Sequence, residues 1–299
     1  MKSSGDRGEI PIAGRVIRSA IAVFAILSLV ELSLHLFRIP AGGLYSGDIG
    51  YYWTLSPGYS DDISHGDREF RVEISELGIR DAGPPSEGPW VLALGCSTTF
   101  GWGVEADENW TEILESQLGI PVVNAGVPGH TTAQGVVFAP EFLALEPDLV
   151  LLGWGVRDSQ LAPKPDSSAT PSSLVSRSRI LRLLREIIGA AGTEVEGEGL
   201  ELVARVSPED FAENMMDVHR VAALHDVAVV DLAFPMMEYP DSYSLELEGL
   251  DGHFVAPQLS QSSFFEFDPV HLNREGHRLL AAELGPPIVG LLEQRSEAE

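Results

Sequence analysis

The feature that most constrains this chain is a repeated pairing of short, unbroken apolar runs with amphipathic helical stretches. Trp90–Leu94 (WVLAL), Pro121–Asn124 (PVVN), Asp148–Leu152 (DLVLL) and Val227–Leu232 (VAVVDL) lack the alternation of a strand with one wet face. Strands apolar on both faces must be covered on both, and helices between them supply the cover, so the pattern predicts an α/β fold with a parallel sheet. The helices carry their own punctuation. Asp107 is placed to cap one that buries Trp110, Ile113, Leu114 and Leu118 and stops at Gly119. Ser207-Pro208-Glu209-Asp210 opens another that buries Phe211, Met215, Val218 and Ala222, and Asn273 opens a last one through Leu279, Leu280 and Leu284. In sheets of this kind ligands bind beyond the carboxyl ends of the strands. Function is therefore sought in the segment just after each strand.

The N-terminus is of different material. Residues 1–18 form a polar lead ending in Arg15 and Arg18, and Ser19–Phe37 (SAIAVFAILSLVELSLHLF) is an almost unbroken apolar run of 19 residues. A helix of about 20 residues crosses the hydrocarbon layer. The flanking arginines then put residues 1–18 in the cytoplasm and the body outside. Glu31 and His35 lie four apart near the outer end, spaced to pair or to reach the interface. A cleaved signal peptide is the rival reading, but no convincing small-x-small cleavage site comes soon after the run. Residues 38–88, with Tyr45, Tyr51, Tyr52, Trp53 and a strand-like Phe70–Ile74, are expected to form an ordered collar on the body.

The body, residues 89–294 with a five-residue tail, is long enough for a sizeable core, since hydrophobic residues make up 44% of the 299. Its rhythm breaks at residues 160–206: a Pro/Ser-rich loop from Leu161 to Ser178, a basic amphipathic Ile180–Ile188 and an acidic, Gly-rich Glu194–Glu201 form an insertion. Tyr239–Ser262 is likewise expected to be irregular. A formal net charge of −26 repels phosphate backbones and argues against nucleic-acid binding. A single cysteine, Cys96, excludes an internal disulfide and a Cys-rich zinc site, and is expected to be a small buried thiol. His219/His225 and His271/His277 are each six apart, a spacing that divides them across a helix and makes neither a metal pair. Gly95, Gly101 and Gly103 lack the lysine of a phosphate loop.

The strand ends carry one kind of chemistry. Gly95-Cys96-Ser97-Thr98-Thr99 puts a serine on the turn after the first strand. Asn124-Ala125-Gly126-Val127-Pro128-Gly129-His130 comes after the second, where a glycine lets backbone approach a substrate and offers an N–H. His130 is expected to contact substrate or solvent. Gly153-Trp154-Gly155-Val156-Arg157-Asp158 comes after the third. Asp268-Pro269-Val270-His271 opens the last helix, where one local turn would hold a base and its orienting carboxylate. In this order the four segments resemble the SGNH, or GDSL-type, hydrolase family over roughly residues 89–294. Gly78-Ile79-Arg80-Asp81 is similar to the lead-in of its membrane-anchored bacterial members.

The resemblance implies a flavodoxin-like three-layer α/β/α sandwich and the hydrolysis or transfer of acyl esters without metal or organic cofactor. It casts Ser97 as nucleophile, His271 as base, Asp268 as its orienting acid, and the N–H groups of Ser97 and Gly129 as oxyanion donors. Two positions depart from the pattern. Cys96 replaces an Asp that is not part of the triad. Arg157 replaces the Asn that supplies a third oxyanion donor, and it can either donate in its place or pair with Asp158. The expected substrate is an ester or an acylated glycan. The alternatives are an O-acetyltransferase of envelope polysaccharide and a non-catalytic glycan- or partner-binding relic.

Overall fold

The computed structural model describes residues 12–36, 43–48, 52–168, 180, 202–234, 241–250 and 252–298. The chain divides into two units, Met1–Gly42 with Ser172–Glu196, and Gly43–Pro171 with Gly197–Glu299. In the first, α1 (Ile12–Leu36) has 25 residues, and its Ile17–Leu34 stretch has a mean hydropathy of 1.9 and no buried residue. At 1.5 Å per residue it is about 37 Å long, enough to cross a membrane or to serve as a signal sequence. The amphipathic Ile180–Ile188 segment, Ile180 aside, and the Glu194–Glu201 patch lie outside the described residues.

The second unit begins with two antiparallel ribbons, β1 (Tyr45–Asp48) with β2 (Tyr52–Leu55), and β3 (Ser60–His65) with β4 (Arg68–Glu73). The α/β body comes next. Its parallel strands are β5 (Val91–Gly95), β6 (Val122–Asn124), β7 (Leu149–Gly153), β10 (Ala228–Leu232) and β11 (His253–Val255), in the spatial order β11-β10-β7-β5-β6. Counted along the sheet this is 2-1-3-4-5, the flavodoxin-like order. Every residue of β5, β6 and β7 is buried, as their uninterrupted apolar sequences require. The helices are α2 (Ser97–Phe100), α3 (Trp110–Leu118), α4 (Thr132–Leu143), α5 (Pro208–Leu224), α6 (Asp241–Glu248) and α7 (Arg274–Ala298). Right-handed crossovers on a sheet whose order reverses at β5 send α3 to one face and α4, α5 and α6 to the other. The packing agrees: α3 lies on α7, α4 on α5, and α5 on α6. The fold is the expected α/β/α sandwich.

Several local expectations need correction. Helix α3 starts after Asn109, not Asp107, because residues 106–108 form a 3-10 turn closed by reciprocal bonds of Glu105 and Glu108. The predicted loop from Leu161 contains strand β8 (Leu161–Ala162), paired with β9 (Val203–Ala204), so the two ends of the insertion are pinned together. The predicted irregular stretch from Tyr239 holds both α6 and the edge strand β11. The caps at Ser207 and Asn273 are as expected, accepting from the backbone N–H groups of Asp210 and Gly276.

The ribbons pack on the body around a second small core, in which Leu44, Leu55, Phe70, Val72 and Ile74 close over Phe100 of α2. Arg80 fastens this layer. It is buried and donates to the carbonyls of Phe100, Gly101 and Val104 at 2.9, 2.7 and 2.7 Å, and to that of Arg71 at 3.2 Å. One guanidinium thus satisfies the chain leaving α2 and ties it to β4.

Candidate active site

The order reversal of the sheet falls between β5 and β7, so the ends of those two strands diverge into a crevice. Gly95 and Gly153 are register partners there. A Cβ on Gly95 would collide with Thr99 Oγ1 and lie 2.6 Å from the Gly153 carbonyl. Two glycines side by side are what allow α2 to sit directly on the strand ends. Ser97 is the first residue of α2, after an extended Cys96. Its N–H therefore has no acceptor within its own helix.

His271 Nε2 lies 2.8 Å from Ser97 Oγ, and His271 Nδ1 lies 2.6 Å from Asp268 Oδ2. A carboxylate only accepts, so Nδ1 carries the proton and Nε2 accepts from the serine hydroxyl. Asp268 and His271 belong to a short strand, β13 (Asp268–Leu272), paired with β12 (Phe264–Phe265), and not to a turn directly ahead of α7. Asp268 Oδ1 accepts from the N–H groups of Val270 and His271 at 2.8 and 3.2 Å, which curls the strand start and brings i and i+3 side chains to one side. Burial opposes ionisation of Asp268. The hydrogen bond and charge of His271, with the two backbone N–H groups, outweigh it and hold the carboxyl well below the usual carboxylate range. The residues placed together by sequence order are thus brought together in space, 174 positions apart in the case of Ser97 and His271.

Gly129 sits at φ +87° in a turn under Trp53, and a Cβ there would lie 3.1 Å from the indole. Its conformation and its ceiling both require glycine. The surrounding peptide groups are clamped. Trp53 Nε1 donates to the Pro128 carbonyl at 3.1 Å, and Arg205 Nη1 donates to the Gly129 carbonyl at 2.9 Å. Arg205 is itself held by a two-point pair with Asp166, at 3.1 and 2.8 Å. His130 is not a solvated side chain: it is buried, its Nε2 donates to the Trp53 carbonyl at 2.8 Å, and it stacks on Phe138. Burial pushes it down to about 4. Asn124 joins the first two strand ends, donating to Thr99 O at 3.0 Å and accepting from Gly126 N–H at 3.0 Å.

Arg157 does not pair with Asp158. Its Nη1 donates to Gln160 Oε1 at 2.8 Å, and its Nε is buried without an acceptor. Asp158 faces inward instead. One oxygen accepts from the N–H and hydroxyl of Thr132 at 2.8 and 2.5 Å, the other from Gly155 N–H at 3.0 Å. It staples the turn after β7 to the start of α4. Full burial pushes Asp158 up to about 6 against those hydrogen bonds.

One neighbour of the site has no signal near it in sequence. His65, at the end of β3, places Nε2 3.1 Å from Asp268 Oδ2. His65, Asp268 and His271 offer ligand atoms within 4.8 Å of one another. To hold a metal, both imidazoles would have to give up the protons that face the carboxylate.

The family model for the GDSL-like Lipase/Acylhydrolase family matches residues 93–279, more than half of the chain. The chain belongs to this family. GDSL-type enzymes are carboxylic ester hydrolases, and the matched span runs from β5 to within α7. Among solved structures it is similar to the psychrotrophic esterase EstA from a Pseudoalteromonas species, at 15% identity over 69% of this chain and 100% of that one, TM-score 0.47. It is also similar to the acetylxylan esterase Axe2 from Geobacillus stearothermophilus, at 15% identity over 66% and 92%, TM-score 0.44. TesA gives 18% identity over 68% and 99%, TM-score 0.45. No curated protein matches the chain in sequence. Where the GDSL name has an Asp before the serine, Cys96 is buried with Sγ 3.1 Å from the Thr98 hydroxyl.

Proposed function

We propose that this GDSL-type hydrolase is a serine esterase tethered by α1, with its body outside the cytoplasmic membrane. The observation that carries the reading is the continuous chain from Ser97 Oγ through His271 to Asp268, at 2.8 and 2.6 Å. His271 Nε2 takes the serine proton as Oγ attacks the ester carbonyl carbon, and the carbonyl π electrons move onto oxygen. The N–H groups of Ser97 and Gly129 and the unpartnered Nε of Arg157 are the donors for that oxyanion. Collapse expels the alcohol, which takes the proton from His271, and water repeats the sequence on the acyl-serine. Asp268 keeps Nδ1–H in place and balances the imidazolium charge. The placement outside the membrane rests on Arg15 and Arg18 before the apolar helix. Well-formed contacts at Ser97, His271 and Asp268 favour an enzyme over a relic, which would have no constraint to keep them.

The test is turnover of p-nitrophenyl acetate by the full chain in detergent. Wild type is expected to turn over, Ser97→Ala and His271→Ala each to lose activity to background, and the double variant to be no worse than either. Near-wild-type activity in His271→Ala would overturn the assignment of the base.

A further inference from the structure

We propose that His65, from the ribbon that precedes the hydrolase body, is a positioning residue for Asp268, and that it works as a fixed neutral donor. This rests on the esterase reading above. The indole of Trp102 donates from Nε1 to His65 Nδ1 at 3.1 Å. An indole N–H is a donor only, so Nδ1 must carry a lone pair, and the proton of the neutral ring is on Nε2. Nε2 is the atom that faces Asp268 Oδ2 at 3.1 Å. That oxygen is also the acceptor for His271 Nδ1, while Oδ1 is taken by two backbone N–H groups. The carboxylate is thus surrounded by donors, and His65 is the one from a separate layer of the fold.

The ring has little freedom to do anything else. Phe265 and Phe267 meet it edge-on, with centroids at 5.3 and 5.0 Å, and His271 lies at 5.5 Å almost perpendicular. A Cβ on Gly103 would press to 2.8 Å from it. A second proton would set an N–H of His65 against the N–H of Trp102. Burial and the neighbouring His271 also disfavour the charged form, more than Asp268 favours it. The buried Nε2 lies 3.1 Å from Oδ2 without forming a well-aligned hydrogen bond. Contacts of this kind straighten when charge develops in the site. As His271 becomes an imidazolium, a small shift of Asp268 toward it keeps both N–H groups on one oxygen, and His65 prevents the carboxylate from rotating out to water.

The experiment compares His65→Phe, which keeps the ring volume and deletes the donor, with His65→Gln, which retains an N–H near the position of Nε2. In the full chain, His65→Phe is expected to lower kcat about tenfold with KM within about twofold, the equivalent of one hydrogen bond to a charged group. His65→Gln is expected to recover most of that loss. In an Asp268→Asn background His65→Phe should add nothing, because its effect passes through the carboxylate. Equal kcat in wild type and His65→Phe, no rescue by Gln, or a full further loss in the Asp268→Asn background would each overturn the proposal. The low-field proton resonance of His271 Nδ1–H, followed in histidine-labelled protein, reads the same coupling without turnover. It is expected to move in His65→Phe and return in His65→Gln. Where wild type turns over no ester, the esterase reading fails alone, while an unmoved resonance defeats the role of His65. Should His65→Phe not fold, Trp102→Phe frees Nδ1 and is expected to move the resonance, and an unmoved one overturns the proposal.

Discussion

Trp53→Phe tests how the oxyanion peptide is held. The substitution keeps an aromatic side chain, deletes the Nε1–H donor that reaches the Pro128 carbonyl at 3.1 Å, and shortens the ring system that lies over Gly129. The peptide unit that carries this carbonyl also carries the Gly129 N–H, so the two ends are electronically coupled. Hydrogen bonding at one end of a peptide strengthens the bond at the other by roughly 10–30%. A donor in an oxyanion hole is worth about 2.7–4 kcal/mol in the transition state. The product is about 0.3–1.2 kcal/mol, or a fall in kcat of about two- to eightfold. Folding loses separately: Trp53 is buried, and a buried carbonyl left unsatisfied costs about 1–3 kcal/mol. Initial rates on p-nitrophenyl acetate, with thermal melts by circular dichroism, separate the two. Unchanged kcat in a folded variant of lowered melting temperature would refute the polarisation argument and leave Trp53 as packing only. A loss beyond a hundredfold would show that the peptide itself had turned.

The same geometry sets three further outcomes. Arg157→Ala should lower kcat and kcat/KM together by about 10²-fold with little loss of stability, because its Nη1 bond to Gln160 is exposed and its Nε is free; unchanged kinetics would remove it from the oxyanion site. His130→Gln should keep a donor for the Trp53 carbonyl and abolish a titration. Burial holds folded His130 down to about 4, so between pH 6.5 and 4 the unfolded chain binds the extra proton and wild type loses stability as pH falls. Relative to the variant, wild type should lose up to ~3 kcal/mol across that window in denaturant titrations, and a pH-independent difference would contradict the assignment. A reporter fused after Phe37 should be active only on the far side of the membrane, and activity in the cytoplasm would reverse the orientation drawn from Arg15 and Arg18.

Legibility in the sequence tracks burial. Strands β5, β6, β7 and β10 announce themselves because a residue facing a helix layer on either side of a sheet has no reason to be polar. The edge strand β11 has one flank unpaired and begins with an exposed His253, so its three residues carry no such mark. Among its described side chains, helix α6, DSYSLELE, buries Tyr243 and Leu247 between acidic neighbours, too narrow a stripe to show a helical period. The chemistry of the body is equally readable, since Ser97 sits where β5 gives way to α2 and the Asp268/His271 pair lies in the short strand just before α7. For Arg157 the sequence offers the wrong partner. Asp158 is next to it in the chain, but successive side chains diverge, and the inward one is held by Thr132 and Gly155.

What no local pattern reveals is the contribution of the ribbons. Trp53 in β2, His65 in β3 and Arg80 after β4 stand between 17 and 44 residues before Ser97, and their local sequence does not say which groups of the body they hold. Yet Arg80 holds the carbonyls that leave α2, Trp53 holds the peptide of Gly129, and His65 faces Asp268. Trp53 and Arg80 each work on backbone carbonyls of the body, and His65 on the carboxylate of Asp268, all from far away in the chain. A backbone carbonyl has no identity in a sequence, so a side chain selected to bind one leaves no partner to covary with or to recognise by spacing. The body supplies reactive groups and the ribbons restrict their motion. It follows that the ribbons and the body should melt as one cooperative unit: separating the layers would exchange the three hydrogen bonds of the Arg80 guanidinium for water, a net cost of about 1.5–3 kcal/mol each, of the order of the whole stability of a domain.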